Sequence, residues 1–205
     1  MAINHIIWST TLKLKPSEIK LLEQQCNEHL DSNANPDDNG GDKSRDKKFF
    51  TTYERGDIPL DFVDNASGTY QKIFDEILKD YGIYEGSTYY AQLWIQMYNS
   101  TTESHVPHTH YSGGEAFSWV HFIHTPKQKC FYFLDGDGKK HYPKKQKSGD
   151  FIVFTPWTPH GIDPVQQEDF DRIVAAGNVF FSEFSYGSAY VEMNQWNKTT
   201  LFKSK

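Results

Sequence analysis

The chain has 205 residues, a net charge of −6 and 16% aromatic residues. That length suits one domain with a core of its own, and the acidic balance argues against a protein built to hold nucleic-acid phosphates. Its two cysteines, Cys26 and Cys130, stand far apart in no CxxC pattern, which argues against a disulfide framework and against a cysteine zinc site.

Met1 to Trp8 carries no basic-then-apolar leader, and no stretch approaches the ~18 apolar residues of a membrane span. A cytoplasmic protein without a membrane partner is expected. Pro16-Ser17-Glu18 predicts a helix start, with Ile19, Leu22, Cys26 and Leu30 at helical spacing until Asp31-Ser32-Asn33. Asn35 to Lys48 is rich in Asn, Asp, Gly and Lys with no apolar period. It reads as a polar linker, with an active-site lid as the alternative. A second helix is expected over Ala66–Tyr81, with Tyr70, Ile73, Phe74, Ile77, Leu78 and Tyr81 on one face.

From Tyr90 the period changes to two. Tyr90, Gln92, Trp94, Gln96 and Tyr98 alternate with Ala91, Leu93, Ile95 and Met97, which predicts a strand. More strands are expected at Phe117–His124, Lys129–Leu134, Asp150–Thr155 and Ile173–Glu183, with a turn at Asp135-Gly136-Asp137-Gly138. Two helices followed by an antiparallel run predict a mainly β fold with supporting helices, a sandwich or jelly roll. The expected organisation is a single domain over 1–205: a helical support region at 1–85, a jelly-roll core at 86–185 and a tail at 186–205.

Seven of the nine histidines lie between residues 105 and 160, and imidazole is the commonest neutral ligand for iron, zinc and copper. In His108-Thr109-His110 the two rings would share one face of a strand and grip one metal. Fifty residues later a turn at Gly149 feeds an apolar strand that ends in Pro156-Trp157-Thr158-Pro159-His160, a proline-stiffened loop presenting a third ring. Three ligands on one side of a metal leave the other positions open. Of only three arginines, Arg172 alone lies beyond residue 55. It begins an apolar strand twelve residues after His160, and a planar fork there calls for a carboxylate. His121 and His124 fall on opposite faces of one strand, behind the ligands or simply packed, and His141 reads as a surface loop residue. Trp94, Trp119 and Trp157 are candidates for cavity walls, with plain core as the blander reading.

The run His108-x-His110, Phe117 to Ile123, Gly149-Asp150 to His160, and Arg172 to Phe180 resembles the Fe(II)/2-oxoglutarate-dependent dioxygenase superfamily. Within it the run is most similar to the phage-type oxygenases related to prolyl-4-hydroxylase, and the resemblance covers residues 90 to 182. It implies a double-stranded β-helix (jelly-roll) fold, Fe(II), 2-oxoglutarate and O2. It further implies hydroxylation of a peptide, protein or small molecule with release of succinate and CO2, in the host cytoplasm if the chain is phage-encoded. On it, His108 and His160 fall on the two histidine ligands, and Arg172 on the residue that holds the C5 carboxylate of 2-oxoglutarate. Tyr98 falls on a strand tyrosine that hydrogen-bonds the same cosubstrate. Two positions depart from the pattern. His110 stands where Asp or Glu is usual, and Val174 where Ser is frequent. Glu115 or Glu103 is then the alternative carboxylate ligand, with His110 behind it orienting a ligand.

Two rival readings remain. One is a cupin-type metalloenzyme that does not use 2-oxoglutarate, which suits the His-x-His pair and leaves Arg172 unexplained. The other is a non-catalytic jelly-roll binding or virion protein with a vestigial site. The substrate is not legible, and the edges of a β-sandwich are compatible with a homodimer. The basic stretch Lys139 to Lys145 reads as a solvated loop, with contact to an acidic substrate as the alternative.

Overall fold

The computed structural model describes residues 5–28, 49–53, 61–82, 88–98, 105–110, 114–166, 171–183 and 200–203. In chain order they form β1 (Ile6–Thr11), α1 (Pro16–Glu28), β2 (Phe49–Thr51), α2 (Asp61–Asp80), β3 (Thr88–Tyr98), β4 (His105–His108) and β5 (Glu115–His124). There follow β6 (Phe131–Leu134), β7 (Lys140–His141), β8 (Asp150–Phe154), β9 (His160–Ile162), β10 (Arg172–Glu183) and β11 (Thr200–Lys203). A seven-stranded antiparallel sheet runs in the order β1-β8-β5-β10-β3-β11, with β2 also on β3, and a four-stranded sheet runs β4-β9-β6-β7. This is the jelly roll expected from the strand pattern. No helix among the described residues is long and apolar enough to cross a membrane.

The large sheet is buried on both faces, and side-chain alternation sorts its residues into two cores. Ile95 and Met97 of β3, Phe117 and Trp119 of β5, Phe151 and Val153 of β8 and Ile173 of β10 meet Leu22 of α1 and Phe74 of α2. The opposite residues, Trp94, Tyr98, Val120, Phe122, Ile152, Phe154, Val174 and Ala176, face Phe131, Phe133 and Ile162 of the small sheet. Aromatic rings fill much of both layers. Phe151 alone, with no exposed surface, stacks on Trp119 at 5.3 Å and reaches Tyr70 and Phe74.

α1 begins at Pro16, whose missing N–H would be unpaired in a first turn anyway, and Glu18 accepts the Lys15 N–H at 2.7 Å. α2 starts at Asp61, five residues ahead of the expected Ala66. Its extra turn is held by docking: Phe62 packs edge-on against Tyr70, and Asp61 accepts the Gln25 side-chain N–H. Three strands lie outside the segment 86–185. β1 and β2 come from the region expected to be helical, and β11 from the expected tail. His141 is not a loop residue. It lies in β7, half-buried, and its Nε2 sits 2.6 Å from Asp135. The Asp135–Gly138 turn is present, closed by the Gly138 N–H on the Asp135 carbonyl. The stretch 35–48, Leu30 and Glu103 lie outside the described residues.

Two glycines fix the strands that carry the site. Gly149 has φ +91°, and a Cβ there would meet Lys13 Cγ at 2.9 Å. Its N–H donates to Phe122 O and its carbonyl accepts from Leu12 N–H, tying β5 and the exit of β1 to the start of β8. Gly177 lets β10 and β3 approach so closely that a Cβ would lie 1.8 Å from the Gln92 carbonyl oxygen.

Candidate metal centre and anion anchor

His108 closes β4 and His160 opens β9, and the two are register partners across the antiparallel pair. His110 lies just beyond the strand, so shared strand geometry is not what brings it in. The backbone does: His110 N–H donates to the Pro156 carbonyl at 2.9 Å, which anchors it to the loop that precedes His160. His160 is the first residue of β9 rather than the tip of that loop. The three ring centroids form a near-equilateral triangle, 4.6 to 4.9 Å on a side.

The hydrogen bonds set the tautomers. His108 Nδ1 lies 3.0 Å from the Val106 carbonyl and His160 Nδ1 lies 3.0 Å from the Thr158 carbonyl. A carbonyl only accepts, so each Nδ1 carries the proton and each Nε2 offers a lone pair. Burial lowers the pKa of His108 and favours its neutral, ligating form, against the opposing pull of the Val106 carbonyl. One ligand nitrogen from each ring lies within 4.8 Å of the others. The Nε2 atoms of His110 and His160 stand 3.1 Å apart, matching the roughly 3 Å between two nitrogens at ~2.1 Å from one metal and at right angles. Three neutral imidazoles suit iron, zinc, copper or nickel.

No carboxylate joins the three histidines among the described residues. Glu115 is buried at the start of β5, where its Oε2 accepts the Gly114 N–H. Trp94 is a cavity neighbour, its ring 5.6 Å from that of His110. Trp157 is not enclosed; it stands 59% exposed in the loop before His160. Trp119 and His121 belong elsewhere, because odd-numbered β5 residues face the helices. Trp119 lies in the helix-side core. His121 bonds the Tyr70 hydroxyl and the Leu12 carbonyl, both at 2.8 Å.

Arg172 begins β10 and is paired with Tyr98 of β3. Its side chain is 1% exposed, and neither terminal nitrogen has a hydrogen-bond partner among the described residues. The guanidinium lies over the rings of Tyr98 at 5.3 Å and Phe122 at 5.8 Å, contacts that use neither terminal nitrogen as a hydrogen-bond donor. Burial draws its pKa down, opposed by Tyr98 and Cys130. An uncompensated buried charge costs several kcal/mol, and two parallel N–H donors match a carboxylate. The inter-sheet core therefore holds both a nitrogen triad fit for a metal and an unsatisfied cation fit for an organic anion.

The sequence reading missed the polar side chains on this inner face of the large sheet. Gln92, Ser118 and Asn178 form a buried ladder across β3, β10 and β5: Ser118 Oγ donates to Asn178 Oδ1 at 2.7 Å, and Asn178 Nδ2 to Gln92 Oε1 at 3.0 Å. Gln96 accepts the Tyr98 O–H at 2.9 Å. Their signal was the alternation itself, which puts both glutamines on the same face as Trp94 and Tyr98.

No family model matches the sequence, and no curated protein does. Solved structures do. A prolyl-4-hydroxylase from Pseudomonas putida is similar with a TM-score of 0.54 at 14% identity, covering 84% of this chain and 91% of that one. A prolyl hydroxylase from Trichoplax adhaerens, in complex with a hypoxia-inducible-factor peptide fragment, gives 0.57 at 13% identity, covering 84% and 82%. The epimerase SnoN, in complex with Fe3+, α-ketoglutarate and nogalamycin RO, gives 0.54 at 10% identity, covering 94% and 93%. At such identities the likeness is one of fold.

Proposed function

We propose that this chain is an Fe(II)- and 2-oxoglutarate-dependent oxygenase that hydroxylates a C–H bond of a peptide, protein or small molecule. The observation that carries the reading is Arg172: a buried guanidinium whose two terminal nitrogens have no hydrogen-bond partner among the described residues, in the same inter-sheet core as three convergent imidazoles. The shared fold with SnoN, solved with Fe3+ and α-ketoglutarate, supports it. Placement in the phage-type branch rests on the motif from His108 to Phe180 alone.

In this reading His108, His110 and His160 hold the iron and Arg172 takes the distal carboxylate of 2-oxoglutarate. Iron, 2-oxoglutarate and O2 together supply the oxidation, with succinate and CO2 as coproducts. The chain's own contribution is placement. The Val106 and Thr158 carbonyls fix two of the rings with Nε2 turned inward. Tyr98 and Phe122 flank the guanidinium and keep it out of water, which strengthens its pull on an anion. Trp94 and Phe131 wall the core beside His110 and His160.

The test is anaerobic titration of the Fe(II)-loaded protein with 2-oxoglutarate, watching for the visible metal-to-ligand charge-transfer band. The band is expected in the wild type and absent in Arg172→Ala, and His110→Ala is expected to weaken metal binding itself. Metal binding without a band would favour the cupin-type reading, to which the all-imidazole donor set is also suited. No metal binding would mark the site as vestigial.

A further inference from the structure

Gln96 is the one polar side chain that alternation places between the guanidinium and the metal triad on β3. Trp94 and Tyr98 flank it on the same strand face, and both belong to the inter-sheet core. Trp94 lies beside His110, and Tyr98 lies under Arg172. These two flanking positions span about 13 Å of strand, so a molecule reaching from Arg172 to the histidines passes over Gln96. Its register partners are Val174 of β10, which brings no hydrogen-bonding group to that rung, and Thr51 of β2, whose hydroxyl accepts the Tyr53 N–H.

The amide is already oriented. Tyr98 O–H donates to Gln96 Oε1 at 2.9 Å, which turns the Nε2 group away from that hydroxyl. That nitrogen has no hydrogen-bond partner among the described residues. Gln96 stands one same-face position along β3 from the tyrosine that lies against the guanidinium, so its N–H2 adds a donor near the two Arg172 terminal nitrogens that lack an acceptor.

We propose that Gln96 is the second anchor of the distal carboxylate of 2-oxoglutarate, donating from Nε2 to the oxygen that Arg172 also holds, with Tyr98 as a positioning residue that fixes the amide by its hydroxyl. This rests on the oxygenase reading above and adds to it the residue that selects a dicarboxylate. It assigns Tyr98 an indirect part: its O–H serves Gln96, and its ring serves the guanidinium.

The experiment compares two ligands on Fe(II)-loaded protein without oxygen, by calorimetry: 2-oxoglutarate and 2-oxopentanoate, which keeps the 2-oxo acid and lacks the distal carboxylate. Gln96→Leu is expected to weaken 2-oxoglutarate about tenfold or more, the scale of one hydrogen bond to a charged group, and to leave 2-oxopentanoate unchanged. Gln96→Glu is expected to weaken 2-oxoglutarate further, since the new carboxylate would pair with Arg172 and repel the ligand. Tyr98→Phe is expected to give a smaller loss, again confined to 2-oxoglutarate. Equal losses for both ligands, or none for either, would overturn the role of Gln96, while a loss of dicarboxylate preference in Arg172→Ala would leave the oxygenase reading standing. A wild type that binds both ligands equally, or neither, would overturn both.

Discussion

Each face of the seven-stranded sheet buries a strand residue of the sheet's own that can carry positive charge, His121 on one side and Arg172 on the other, and the two are treated in opposite ways. On the helix side, His121 is fully buried and both ring nitrogens are satisfied. Because the Leu12 carbonyl only accepts, Nε2 carries the proton and Nδ1 accepts the Tyr70 O–H, so the ring is a neutral packing element in one tautomer. On the inner side, Arg172 is equally buried, cannot discard its charge at any working pH, and has no acceptor on either terminal nitrogen. Burial of a group that can carry charge is thus no mark of function here; burial of a permanent cation whose terminal nitrogens have no acceptor is. Apart from two neutral groups, the Trp119 indole N–H and the Gln25 side-chain oxygen, the helix-side core is closed on itself among the described residues, whereas the inner core leaves a cation to be completed by something else.

That contrast can be broken most forcefully by cutting into the closed side. Phe151→Ala removes a ring that touches Trp119, Tyr70 and Phe74, and should destabilise the protein by about 3–5 kcal/mol. Denaturant unfolding reads the loss, and metal affinity of the folded fraction should be unchanged. A large fall in metal affinity would show that the two cores are not independent.

A gentler perturbation uses acid. Burial pushes the His121 pKa down from 6.5 to about 4, below its value in the unfolded chain. The folded state therefore resists a proton that the unfolded state accepts. This contribution is fully present above pH 6.5 and is lost as pH falls towards 4, by about 3 kcal/mol at ~1.4 kcal/mol per pH unit. Urea midpoints measured across that window should fall in the wild type and fall less in His121→Phe. Equal slopes in the two would mean that other groups govern the acid limb.

The smallest effect has the opposite sign. Arg172→Met replaces a lone buried cation, whose burial is costly, with an apolar chain of similar length, so the change is expected to be neutral or stabilising. Thermal melts of the ligand-free variant should match or exceed the wild type while 2-oxoglutarate no longer raises the midpoint. A marked loss of stability would mean that Arg172 is satisfied inside the fold, and the inner core would then resemble the outer one.

Much of this was legible from residue order. His108, His110, His160 and Arg172 stood out because ligand types and a rare arginine fell on or beside apolar strands. The place of Trp119 and His121 was not legible, since β5 is buried on both faces. Phe117, Trp119 and Ile123 oppose Val120 and Phe122, and two apolar faces carry no sign of which one meets the helices. The short strands were hidden for another reason. β4 contains Pro107, β7 and β9 have two and three residues, and runs that short form only because a longer neighbour offers them an edge. Gln96 was read correctly as a strand residue and passed over, since only the Tyr98 hydroxyl and the Arg172 vacancy give its amide a direction.

The outer edge of β3, away from β10, has its own significance. β2 lies along Gln96 to Tyr98 and β11 along Tyr90 to Leu93, so two short strands from distant parts of the sequence sit end to end on one eleven-residue strand. An uncovered strand of that length, alternating aromatic and aliphatic, is a template on which other chains can pair and aggregate. A fragment trimmed to residues 86–185 would retain every side chain of the metal triad and its anchor, yet shed both covers and β1 as well. Its solubility, more than its chemistry, would set the limit on how far this protein can be shortened.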